Sequence, residues 1–135
     1  MIELTLAMAE RATSAAREKA DALGTPMTIT VVDEAGRLVL CSRGDGTGFF
    51  TPETSRAKAM AAASFRMSTA DLAERVAKGA PFWTHVGSVL SGQVLPSHGA
   101  VPIVVNGRVI GAIGCGGGTG EQDQECAVAG AAVLA

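Results

Sequence analysis

Tyrosine is missing altogether, and the remaining aromatics are one tryptophan and four phenylalanines. An interior built with so few rings must be filled by small and aliphatic side chains, which lets backbones come close together. Basic clusters are missing too. Eleven Lys and Arg against thirteen Asp and Glu leave a net charge of −2, without the basic stripe that nucleic-acid binding requires. No apolar stretch approaches the ~20 residues of a membrane-spanning helix, so neither nucleic acid nor membrane is expected as a partner. Cysteine is scarce: Cys41, Cys115 and Cys126 form no CxxC pair and no zinc spacing, so no metal site is expected. The start, Met1-Ile2-Glu3, lacks the basic region and apolar core of an export signal. Free thiols in a reducing cytoplasm are the expectation.

What is present is a moderately apolar chain of 135 residues, 47% hydrophobic and 18% charged. It is long enough for one domain spanning 1–135 and too apolar for disorder. Apolar residues at three- and four-residue spacing predict a helix over 2–23, with Arg17 and Asp21 placed to pair. β-Branched runs over 27–33 and 37–43, joined by Glu34-Ala35-Gly36, predict a hairpin. An alanine-rich helix over 52–66 follows, with Thr51 as its cap and Pro52 in its first turn. Another helix runs from Ser68 or Thr69 to about Lys78, then a short helical turn at 82–86. Val89–Val94 is a candidate fifth strand, and 92–100 reads as a loop. Strands at 103–105 and 109–114 flank Asn106-Gly107, the strongest short hairpin signal. Thr119 and Gln122 stand at capping-box spacing before the last helix. Two hairpins with helices packed on them define an α+β domain with an antiparallel sheet.

The stretch Gly114–Asp123 brings a strand end, a glycine bend, a thiol and a helix start together. The N–H groups of Gly116, Gly117, Gly118 and Thr119 are candidates for cradling a ligand oxygen. Glu121 and Asp123 argue against a nucleotide phosphate there. At about 4 Å and a dielectric near 20, each repulsion costs roughly 4 kcal/mol, against the 0.3–2 kcal/mol that a helix end supplies, roughly. A proton acceptor suits those carboxylates better, and so does simple complementation of the helix dipole. An imidazole can both accept and donate a proton near neutral pH, which makes His98 a candidate acid/base. Cys115 is either a nucleophile activated at a helix N-terminus or a small buried hydrophobe. Asp33 and Arg43 close the first two strands, as a turn aspartate and a solvated arginine or as a pocket rim. Lys58 is either a solvated helix lysine or an arm toward an anionic ligand. The loop Gly44–Phe50 lacks the lysine of a phosphate-binding loop and the later glutamate of a calcium loop.

Pro102-Ile103, Gly107, the run Val109-Ile110-Gly111-Ala112-Ile113-Gly114, Glu121-Gln122-Asp123 and Ala129-Gly130 resemble the GlcG/HbpS family of haem-binding-protein-like domains. The carboxy-terminal domain of PduO is in the same group. The likeness continues upstream through Val31-Val32-Asp33, Gly36, Arg43 and Arg56-Ala57-Lys58-Ala59. Two departures stand out: Gly99-Ala100-Val101-Pro102 where the family has Gly-Gly-x-Pro, and Cys115-Gly116-Gly117 where it commonly has Val-Ser-Gly. The resemblance implies a profilin-like or PAS-like layered sandwich, a homo-oligomer, and a small organic ligand, with haem the implied cofactor and His98 or His85 its iron ligand. The alternative is a cofactor-independent isomerase, lyase or hydratase acting on a small carboxylate or carbonyl compound. There His98 and Glu121 would move protons, Arg43 and Lys58 would hold the substrate, and the Gly116–Thr119 amides would stabilise an oxyanion. A third possibility is an accessory subunit with no site of its own.

Overall fold

The computed structural model of the protein describes residues 2–135. The chain runs α1 (Leu6–Leu23), β1 (Thr28–Asp33), β2 (Leu38–Ser42), α2 (Thr51–Phe65), α3 (Thr69–Ala77), α4 (Pro81–Val89), β3 (Ala100–Val105), β4 (Arg108–Gly116) and α5 (Gly120–Ala132). The strands form one sheet in the order β2-β1-β4-β3, with every neighbouring pair antiparallel. This is the expected α+β architecture. Asn106 and Gly107 both take positive φ between the paired Val105 and Arg108. Pro102, which cannot donate to a ladder, sits on edge strand β3.

Strand alternation divides the core. Ile29, Val31, Ile113 and Cys115 face α1 and α5, where they meet Ala12, Ala16, Cys126 and Ala127. Val32 and Ala112 face α2 and meet Ala59, Ala62 and Ala63. Thr30 on that same face bonds Ser55 on α2, hydroxyl to hydroxyl, at 2.7 Å. The α2 backbone lies almost on the sheet. A Cβ on Gly114 would stand 2.2 Å from the Ser55 carbonyl oxygen, so only glycine permits this approach. Alanine on the helix and glycine on the strand are two halves of one packing solution.

Four local expectations are corrected. α1 begins at Leu6, not Ile2, because the first hydroxyl able to serve its orphan amides is that of Thr5, which accepts from the Met8 N–H at 3.2 Å. Arg17 does not pair with Asp21; its guanidinium donates to the Met27 carbonyl and to the Ser42 carbonyl and hydroxyl, tying α1 to β1 and β2. Thr51 is not the cap of α2. Its hydroxyl donates to the Gly48 carbonyl at 2.8 Å, and Phe50 holds the cap position without a side-chain bond. Val89–Val94 is not a strand: it closes α4 and turns through Ser91 and Gly92, both at positive φ, which no extended run tolerates.

Candidate functional site

The glycine bend closes around a buried ion pair. From α2, Lys58 reaches through to the far end of β4, where Nζ stands 3.0 Å from Asp123 Oδ2 and 3.0 Å from the Cys115 carbonyl oxygen. The second carboxylate oxygen of Asp123 accepts from the Gly118 N–H at 2.9 Å. Both side chains are less than a tenth exposed, so the pair is desolvated and its remaining bonds are needed to offset that cost. Gly99 lies over it at φ +132°, where a Cβ would come within 2.8 Å of the Cys115 carbonyl and 2.9 Å of the ammonium. The Gly99 N–H donates to Gln124 Oε1 at 2.7 Å, and Gln124 Nε2 donates to the Ser68 hydroxyl. Thr69 Oγ1 bonds both the N–H and the carbonyl of Ala100. Ala100, in place of the family's second glycine, buries its methyl among the alanines of α2.

The candidate residues fall into distinct places. Lys58 and Asp123 meet each other, so the ammonium is already matched by a carboxylate. The N–H of Gly118 is taken by Asp123, and that of Thr119 by Gln122 Oε1, which completes the expected capping box. Gly116 is buried at the end of β4, and Gly117 turns the chain at φ +134°. Cys115 is fully buried, and burial pushes its thiol well above the ordinary range, with Cys126 and Asp123 adding to the effect. It is a core residue, and burial outweighs the nearby Lys58 and Arg17 charges that would favour its thiolate. Burial, Asp123 and Glu125 push the Cys126 thiol up to about 11. Glu121 is exposed in the first turn of α5. His98 is half-buried, its Cβ 3.2 Å from where a Cβ on Gly120 would stand, so imidazole and carboxylate share the N-terminal end of α5. Asp33 accepts from the Ala35 and Arg37 N–H groups and from Arg37 Nε, which fixes the β1–β2 turn. Arg43 is exposed beyond β2. The roles of Gln124 and Thr69 escaped sequence reasoning, because their partners lie 25 and 31 residues away with no local signal.

Three surface hollows meet elsewhere, on the face of α2 turned away from the sheet. Glu53, Ala57, Met60 and Ser64 follow one another along it at four- and three-residue spacing. The segment Gly92–Leu95 crosses this face, pinned by the bond from the Leu95 N–H to the Ala57 carbonyl at 3.0 Å. The hollow beneath α4, about 500 Å³, is lined by Ala57, Thr84, Gly87, Ser88, Val94 and Leu95 among others. The others, about 340 and 270 Å³, share Met60 and Gln93. His98, Glu121 and the glycine bend line none of the three. Among the described residues no group of three or more His, Cys, Asp or Glu could hold a metal ion, and no helix is long and apolar enough to cross a membrane.

A central antiparallel sheet between helical layers, with a hollowed outer helix face, defines a small α+β domain. Residues 4–132 match the family described as "Haem degrading protein HbpS-like", and the chain belongs to that family. It is 36% identical to protein GlcG of Escherichia coli K12 over 111 residues, 82% of this chain and 79% of that one. A doubly substituted HbpS of Streptomyces reticuli superposes with a TM-score of 0.89 at 32% identity, covering all of this chain and 89% of that one. A structure described as a PduOC:haem complex superposes with a TM-score of 0.90 at 28% identity, covering 98% of this chain and 96% of that one.

Proposed function

We propose that this chain is a small-molecule-binding domain whose ligand is haem or a related flat, largely apolar molecule. The observation that carries the reading is the likeness, over nearly the whole chain, to a domain solved with haem. The residue types on the outer face of α2 fit such a ligand. The hollows there are lined by Ala57, Met60, Val94 and Leu95, and their size suits a small organic ligand. Haem iron accepts imidazole or thioether donors. Met60 is in the wall, and His85 is exposed on α4 next to Thr84, which lines the largest of the three. His98 is the other imidazole, half-buried at the N-terminal end of α5 and away from these hollows. When bound, haem would supply redox and ligand-exchange chemistry at iron, and the chain's part would be to seat it and limit access of water.

Haemin titration tests this directly. Saturable binding at micromolar haemin with a shifted Soret band is expected, and the band of the His85→Ala or Met60→Leu variant should differ from that of the unaltered protein. An unshifted spectrum at those concentrations would overturn the reading. The acid/base alternative rests on His98, Glu121 and the exposed Arg43, since Lys58 and the Gly118 and Thr119 amides are already bonded. Turnover of a small carboxylate that His98→Ala abolishes would restore it. We infer further that the protein is a cytoplasmic homo-oligomer. Three unpaired thiols suit a reducing compartment, and exposed Phe49, Phe50, Phe82 and Val89 offer apolar contact surface. Light scattering at the monomer mass would contradict the oligomer.

A further inference from the structure

Little holds α4 to the rest of the molecule. Of its nine residues only Val86 is buried, while Phe82 and Val89 are 59% and 75% exposed. Val86 joins a small cluster with Ala61, Leu72 and Val94. Trp83 packs edge-on against Phe65, ring centres 5.0 Å apart, with the Arg75 guanidinium 5.3 Å from its ring. Both ends of α4 turn through left-handed residues, Gly79 at φ 75° before it and Ser91 and Gly92 at 54° and 73° after it. The next anchor down the chain is the Leu95 bond to Ala57. An element with so few buried contacts belongs to the low-stability end of a domain's local openings.

The hollow of about 500 Å³ lies between this helix and α2. Its walls are thin: Ala57 on one side, Gly87 on the other, Gly92 at the end. Val94 and Leu95 make it apolar, and Glu53, Thr54, Thr84 and Ser88 place a carboxylate and hydroxyls among them. Glu53, Ala57 and Gly92 also line the neighbouring hollow of about 340 Å³, so the slot continues along α2. We propose that this open α2–α4 hollow is the ligand seat, and that α4 is a lid hinged at Gly79 and Ser91-Gly92 which closes on a flat, mainly apolar molecule with a polar edge. Only the identity of that molecule rests on the haem reading above.

Two substitutions fill the slot from opposite walls, Ala57→Leu and Gly87→Leu. Ala57 is half-buried, and a Cβ on Gly87 meets nothing nearer than 3.7 Å, so both folds should survive. Ser14→Leu, on the outer face of α1, is the control. Haemin and anilinonaphthalenesulfonate are the probes. Each filling variant should weaken binding of a probe by at least about tenfold, and the control should not. Trypsin cleavage after Lys78, beside the first hinge, should slow by about tenfold when a probe saturates the protein. If haemin fails to bind but the dye binds and the filling variants expel it, the seat stands and the haem reading falls. If both probes bind the filling variants as tightly as the unaltered protein, the seat is wrong while haem binding stands. Binding of neither probe overturns both, and cleavage after Lys78 that ignores a bound probe removes the lid.

Discussion

The two faces of α2 contrast in what their neighbours do. On its sheet side, Lys58 joins three elements and every polar group there has a partner: Asp123, the Cys115 carbonyl, the Gly118 N–H, Gln124 and Thr69. On its outer side, α4 leans on one buried valine and one aromatic cluster. The difference teaches that the most chemically suggestive residues need not form the ligand site. A buried lysine–aspartate pair beside glycines resembles catalytic machinery, yet here its bonds are spent on holding α2, β4 and α5 together. The plain alanine and glycine stretch leaves room for something else.

The contrast can be broken from the rigid side first. Lys58→Ala strands a buried carboxylate and should cost about 3–5 kcal/mol in urea unfolding, whereas the double variant Lys58→Met, Asp123→Leu should recover most of that. A loss below 1 kcal/mol, roughly the value of an exposed pair, would show that the pair is hydrated after all. Gly99→Ala should cost about 3 kcal/mol, because the new methyl adds backbone strain to two contacts with no room to give. Val86→Ala sharpens the other side. Removing two carbons should weaken α4 by about 1–2 kcal/mol, but the loss should appear as faster local exchange in α4 while the global midpoint barely moves.

The thiols leave stability at neutral pH untouched and act only in alkali. Cys41 is exposed and should react with a disulfide reagent in the folded protein, while Cys115 and Cys126 should react only on unfolding. Because folding raises the Cys126 value to about 11 from 9.0, the unfolded chain ionises first as pH rises. Stability should therefore be intact below pH 9 and decline between there and about 11. Cys115, raised further still by burial, adds to the same decline, so Cys126→Ala should reduce it without abolishing it, and urea midpoints at pH 8 and pH 10.5 would measure the difference.

The legible parts of the fold were those written in neighbouring residues. Asn106-Gly107 specified its hairpin, Gly36 its turn, and Thr119 with Gln122 the start of α5, since each signal acts within a few residues. The pairing of Lys58 with Asp123, 65 residues apart, has no local trace, and either residue alone reads as a surface charge. Sequence separation also hid the partners of Arg17, 10 and 25 residues away, and its spacing to Asp21 suggested a pair that a pull from two carbonyls overrode. Val89–Val94 misled because β-branched ends bracket Ser91 and Gly92, and side-chain preference cannot reveal positive φ at a serine. Of the site candidates, His98 and Glu121 do share one helix end, but the hollows along α2 were invisible, since a cleft is made of what its lining lacks.

Native-state hydrogen exchange of the free protein tests the central contrast most directly. The amides of α4 should open with a free energy at least about 2 kcal/mol below those of Gly118 and Asp123, whose N–H groups donate to the Asp123 carboxylate and the Thr119 carbonyl beside the buried ion pair. Equal protection in the two regions, with α4 exchanging only through global unfolding, would contradict the account.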